Sequence, residues 1–225
     1  MKEHPILFQP WKVRRILEWD WSLGDMQTRR VIKPPVTDGI WFEGESREWR
    51  GSPLSFQLQT WHSPYGMPGD RLWVRETFDI FTLEGENIPS LLYKADSTAV
   101  PIIGTGAWLL SLEHKWRPSI HMPRWASRLT LEVVGVYVQR VQQMTVIDCS
   151  AEGVVPATLP AFEELWNTIN AKRGFGWDVN PWVWVVTFRL APPEPHPNPS
   201  PNIQKNTGVF GEGAVASPID ESSLN

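Results

Sequence analysis

The stretch Trp116–Val138, reading W-R-P-S-I-H-M-P-R-W-A-S-R-L-T-L-E-V-V-G-V-Y-V, sets the tightest limit on the fold. Its second half is a strong strand: Leu129, Leu131, Val133, Val134, Val136, Tyr137 and Val138 are apolar, and beyond Val133 both faces are. Such a pattern predicts a strand covered on both sides, as in a small closed barrel. The first half differs. Pro118 and Pro123 interrupt regular structure. Arg124, Trp125, Ser127 and Arg128 then lead into the strand. Arginines at a strand mouth are usually solvated and a tryptophan there usually packs. Grouped in this way, the same side chains also suit an anionic or aromatic ligand.

The rest of the chain must build around that strand. With 225 residues and 41% hydrophobic content, there is enough chain for one proper core with an insertion or tail. A net charge of −4 rules out a bulk nucleic-acid coat and leaves only a local basic patch for such contacts. The single cysteine, Cys149, excludes an internal disulfide and a multi-cysteine zinc site, and the five histidines lack ligand spacing. No metal or cofactor is expected. No apolar run approaches the roughly 20 residues of a membrane span, so the expected address is cytoplasmic. Fourteen tryptophans exceed what one modest core hides, so some must line surfaces.

In chain order, Pro5–Phe8 is a short strand candidate. Pro10 opens a helix over residues 11–19, with Val13, Ile16 and Leu17 on its apolar side and Lys12, Arg14, Arg15 and Glu18 on the other. Residues 26–33 form a strand closed by Pro34. It places Gln27, Arg29, Val31 and Lys33 on one face and Met26, Thr28, Arg30 and Ile32 on the opposite one. Neither face is cleanly apolar, which predicts a border on a polar cavity. Residues 36–67 read as a loop-rich insertion with room for a hairpin. Arg71–Phe78 alternates as one strand, with Leu72, Val74, Glu76 and Phe78 together; Glu76 on that apolar face calls for an arginine partner. Thr145 and Asp148 spell a helix start close to a capping box, and Gly153 its end. Glu152 therefore sits at the negative end of a helix, where a cation across a cleft would answer it. A second helix over residues 161–171 carries the stripe Phe162, Leu165, Trp166 and Ile169. The last strand turns Trp182, Trp184, Val186, Phe188 and Leu190 one way. Residues 192–225, rich in Pro, Gly, Ser and Asn, predict a disordered tail after a domain spanning 1–191.

Four pieces carry a resemblance: Q-T-R-R-V-I-K-P (27–34), P-G-D-R-L-W-V-R-E (68–76), H-M-P-R-W-A-S-R (121–128), and S-A-E-G (150–153) followed by a helix and N-P-W-V-W-V-V-T-F. With the opening P-I-L-F, they make residues 4–190 resemble the ASCH-domain proteins of the PUA-like superfamily, in particular the long ASCH-like proteins of bacteriophages and prophages. The resemblance implies an α+β fold, a small PUA-like β-barrel with flanking helices and a cleft used on RNA or modified nucleosides. In a phage-encoded protein it implies the host cytoplasm. Some bacterial members hydrolyse the amide of N4-acetylcytidine with a G-x-K-x-x-T strand and a helix-borne glutamate. Thr28 matches the threonine nucleophile and Glu152 the glutamate, while Asp25 stands where the family has its activating lysine. Asp25 becomes the candidate base, with Lys12 or Lys33 as substitutes if the fold brings them close.

Three functions compete. The first is a nucleic-acid, nucleotide or nucleoside binder without catalysis: Arg29, Arg30, Arg75, Arg124 and Arg128 meet phosphate and Trp125 or Trp73 stacks a base. The missing lysine favours it. The second is an amidohydrolase on N4-acylated cytidine using Thr28 and Glu152. The third is a single-strand ribonuclease using His121 or Glu76. The exposed tryptophans also leave room for a host protein partner. The geometric expectation common to the first two is that Thr28, Arg30, Arg124 and Glu152 converge on one pocket.

Overall fold

A computed structural model describes residues 1–33, 40–43, 48–51, 59–82, 89–102 and 115–192; in 40–43, 48–51 and 59–61 it describes backbone pairing only. The elements run β1 (Glu3–Leu7), α1 (Pro10–Glu18), β2 (Met26–Val31), β3 (Ile40–Glu43), β4 (Glu48–Gly51), β5 (Gln59–Trp61), β6 (Arg71–Arg75), β7 (Phe78–Thr82), β8 (Pro89–Tyr93), β9 (Ala99–Pro101), β10 (Thr130–Arg140), α2 (Val146–Ala151), α3 (Leu159–Asn170) and β11 (Trp182–Leu190). The expected tail falls on residues outside this description from 193 onward.

The fold is mixed α+β. Its main sheet has the order β1-β6-β10-β11-β2, with β1 parallel to β6 and the other pairs antiparallel. Two three-stranded antiparallel sheets flank it, β3-β4-β5 and β7-β8-β9. The insertion therefore builds a three-stranded sheet where the sequence suggested at most a hairpin. No hydrogen-bonded ladder joins β1 to β2 among the described residues. The two edges nevertheless approach, because Arg30 on β2 donates to the Leu7 carbonyl at the end of β1 (2.5 Å).

Alternation along β11 divides the apolar interior. Trp184, Val186 and Phe188 face one cluster with Val13 and Ile16 of α1, Met26, Leu72, Leu131 and Val133. Val183 and Val185 face the other, with Cys149, Phe162 and Trp166. The period-2 strand thus serves two layers at once, α1 on one side and α2 with α3 on the other. The third cluster lies beneath β7 and β8, where Met122 and Ala126 from the Pro118–Ser127 turns pack on Phe78, Leu91 and Tyr93.

Two strand readings need correction. Beyond Val133, β10 is half-buried rather than covered on both faces, and Tyr137 is exposed. The cause is the neighbour: β6 pairs only with Thr130–Glu132, and after the register shift between Val133 and Gly135 the strand has β11 alone. The Arg71–Phe78 run is also two strands. All four expected residues are buried on one side, but Glu76 breaks the ladder. Its carboxylate takes Arg128 (2.9 and 3.0 Å) and its N–H faces the Met122 sulfur at 3.4 Å.

The three helix readings hold closely. Pro10 sits in the first turn of α1. Thr145 and Asp148 form a reciprocal capping box on α2, and Thr158 caps α3 through the Ala161 N–H. No helix among the described residues is long and apolar enough to cross a membrane.

Candidate functional site

Between α1, β2 and α3 lies a cleft of about 360 Å³. Thr28, Arg29, Arg30 and Lys33 reach it from β2 and its end, Lys12 and Trp11 from α1, and Phe162, Leu165, Trp166 and Ile169 from α3; Glu152 and Tyr65 complete the wall. The polar character of β2 is thereby explained: its flanks are shared between core and cavity.

At the bottom sits a buried charge cluster. Lys12, only 2% exposed, donates from Nζ to the Gln27 carbonyl (2.6 Å), the Glu152 carbonyl (2.6 Å) and Glu152 Oε2 (3.1 Å). The Gln27 carbonyl belongs to the peptide that joins it to Thr28, so the ammonium lies against the backbone of the buried threonine. Arg29 meets Glu152 Oε1 at 3.1 Å and Asp148 at 3.2 Å. Gln139, with its side-chain oxygen turned to that guanidinium, accepts from Nε and Nη2 at 3.1 Å each. Glu152 at the end of α2 is thus answered by two cations. Both come from the N-terminal part of the chain, and they overcome the unfavourable helix end. Burial pulls the Lys12 pKa below the ordinary lysine value. Glu152 opposes that shift, while Arg30 and Arg29 add to it.

Of the four residues expected to converge, Thr28, Arg30 and Glu152 do. Arg124 does not: it holds Glu3 in a two-pronged pair (2.9 and 3.0 Å) and lies over the Trp73 ring at 5.9 Å. Arg75 covers the same ring at 5.2 Å and donates to the Ile120 carbonyl. Trp125 is 56% exposed and lies outside the cleft lining. Arg128 is consumed by Glu76 and Asp96. Asp25, at the place of the resembled lysine, faces Arg189 at 3.9 Å and does not line the cleft, so nothing sets it beside Thr28 as a base. His121 is exposed in its own turn and Glu76 is tied to Arg128, so neither ribonuclease candidate lines the cleft.

Lys12 is the residue that helical periodicity put on the solvent side. It occupies the flank next to Val13, and the four-carbon stem carries its nitrogen under the helix to acceptors found 15 and 140 residues away in sequence. A polar residue at the edge of the apolar stripe, one turn from the helix start, was the available signal. Arg173 and Tyr65 were also missed. Arg173 closes the turn that follows α3, and Tyr65 enters from the end of the insertion.

The arrangement can hold a planar, partly apolar ligand against Trp11 and Tyr65, and it gathers a buried lysine, a buried carboxylate and a buried hydroxyl along one cleft. Among the described residues no three His, Cys, Asp or Glu side chains come together as a metal site. No protein-family model, curated protein or solved structure matches this chain.

Proposed function

We propose that this is an ASCH-like protein of the PUA-like superfamily whose cleft takes a modified pyrimidine nucleoside and hydrolyses an exocyclic amide, as in N4-acetylcytidine. The observation that carries the reading is the buried Lys12–Glu152 pair against the Gln27–Thr28 peptide. Resemblance in sequence leaves Thr28 without its activating cation, because position 25 is aspartate. α1 brings a different lysine, Lys12, against the peptide of Thr28. The approach of the β1 and β2 edges across Arg30 and Leu7 supports a barrel-like curl of the main sheet around α1.

In this reading Thr28 Oγ attacks the acyl carbonyl, and its proton passes to the neutral form of Lys12, which burial makes accessible. The carbon–nitrogen bond then breaks, Lys12 returns the proton to the departing amine, and water releases the acyl group from Thr28 as a carboxylic acid. Glu152 holds the Lys12 nitrogen in place throughout.

Chromatography of N4-acetylcytidine incubated with the protein should show cytidine and acetate. Thr28→Ala should abolish turnover, and Lys12→Met should lower it by about 100-fold or more, the usual worth of a positioned acid–base group. Intact substrate with wild-type protein, or unchanged turnover in Thr28→Ala, defeats the proposal. A second reading, binding without turnover, is favoured by one detail: all three Lys12 protons already face oxygens, which is the pattern of a fixed ammonium. Ligand binding by wild-type protein with no product formed would select it.

A further inference from the structure

The cleft carries more positive charge than its floor uses. Lys12, Arg29, Arg30, Lys33 and Arg173 line it against Glu152 alone, in a chain whose net charge is −4. The inner two are matched by Glu152 and Asp148. Among the described residues no carboxylate pairs with Arg30, Lys33 or Arg173. Lys33 and Arg173 are exposed at the mouth and Arg30 is half-buried between mouth and floor.

Arg30 is the informative one. It lies over the Phe8 ring at 5.1 Å and spends Nη2 on the Leu7 carbonyl, and its Nε is buried without a partner. A buried donor left unmade is costly. Planar guanidinium donors beside two further cations are the arrangement that recognises phosphate oxygens. The Tyr65 hydroxyl, kept protonated because burial raises its pKa, adds a donor close to Arg30 and Arg173. Structural duties account for part of this. Arg173 follows the C-terminus of α3, where a cation is favourable, and Lys33 lies over Phe175 at 5.8 Å. Neither duty occupies Arg30 or removes the excess charge.

We propose that the mouth of the cleft binds a phosphate monoester, so that the ligand of this site is a pyrimidine mononucleotide and not a bare nucleoside. The inference rests on the nucleoside reading above and specifies its substrate class. The base goes inward toward Thr28 and the phosphate stays outside with Arg30, Lys33 and Arg173. A cleft of about 360 Å³ is at the small end for ligand pockets, and that limits the occupant to one nucleotide.

Calorimetric titration of the full-length chain with cytidine, cytidine 5′-monophosphate, inorganic phosphate and a cytidine trinucleotide decides the matter. The monophosphate should bind about tenfold or more tighter than cytidine, the worth of one charged hydrogen bond or more. The advantage should shrink with added salt, and inorganic phosphate should compete. The exposed double variant Arg173→Ala, Lys33→Ala keeps Arg30 and should cut the advantage of the monophosphate over cytidine several-fold; its circular dichroism checks folding. Equal binding of cytidine and monophosphate, or a preference that the double variant leaves undiminished, overturns the proposal. Tighter binding of the trinucleotide overturns the mononucleotide assignment. Turnover of N4-acetylcytidine with no phosphate preference removes this inference alone. A phosphate preference without turnover removes the hydrolase reading alone.

Discussion

Two buried charge clusters of nearly the same composition stand in different parts of this molecule. In one, Arg128 bridges Glu76 and Asp96 at 2.8–3.0 Å and stacks on the Tyr93 ring at 4.0 Å. In the other, Lys12 and Arg29 share Glu152 and Arg29 also holds Asp148. The first has one cation for two carboxylates, lies beside the β7–β8 hairpin and stands outside the cleft. The second opens on a cavity and continues outward into cations that no carboxylate pairs among the described residues. In the sequence, both announced themselves by a glutamate in a poor position, Glu76 on an apolar strand face and Glu152 at a helix end. The pair teaches that a misplaced carboxylate marks an ion cluster, and that access and charge imbalance separate a binding site from a structural knot.

The largest effect should come from splitting the closed cluster. Arg128→Ala leaves Glu76 buried and unpaired, and urea denaturation should show a loss of about 3–5 kcal/mol. Replacing both partners, Arg128→Met with Glu76→Leu, should restore most of it. The matching change in the cleft, Arg29→Met with Glu152→Leu, should not recover, because Lys12 then lacks its counter-ion. Equal recovery in the two places would show that the clusters are equivalent.

A smaller effect should be readable in pH. The folded-state pKa of Lys12 lies below its ordinary 10.5, so between that lowered value and 10.5 the unfolded chain binds more protons than the native one. Stability contributed through Lys12 must therefore rise with pH across that window. The unfolding free energy of the wild type, measured against Lys12→Met, should climb as pH rises toward 10.5. A flat or falling difference would mean that Glu152 holds the lysine fully charged and that the base assigned to Thr28 is absent.

Arg124→Ala should do least. Its pair with Glu3 is a third or more open to solvent on both sides, and the expected cost is under about 1 kcal/mol by thermal melting. Nucleotide binding should not change. A binding loss would return Arg124 to the site where the sequence put it.

Local signals were read well. The capping box at Thr145, the proline start of α1, the stripe on α3 and the facing of Trp184 all depend on residues a few positions apart. What failed depends on partners distant in sequence. Lys12 was given to solvent because its acceptors include Glu152, 140 positions on. The strand through Glu76 was read as unbroken because Arg128 and Met122 arrive from another element. Arg124 was drawn into the cleft because Glu3 does not declare itself as a partner. Three of the four residues expected in the pocket line it, Thr28 and Arg30 from one strand and Glu152 from a helix end. The cation between them was recruited from a helix that the pattern does not mention.

The strand order has a further consequence for timing. Among the described residues β2, with Thr28, has a single partner in the main sheet, and that partner is β11, where Val186 stands opposite the threonine. During synthesis Lys12 and Thr28 leave the ribosome long before the strand that fixes one of them. Pairings of such sequence separation are slow to form and come late. Until β11 docks, the growing chain presents Lys12, Arg29 and Arg30 as ordinary hydrated side chains with nothing to bind. The pocket is therefore withheld from the nascent chain and appears only after β11 has docked.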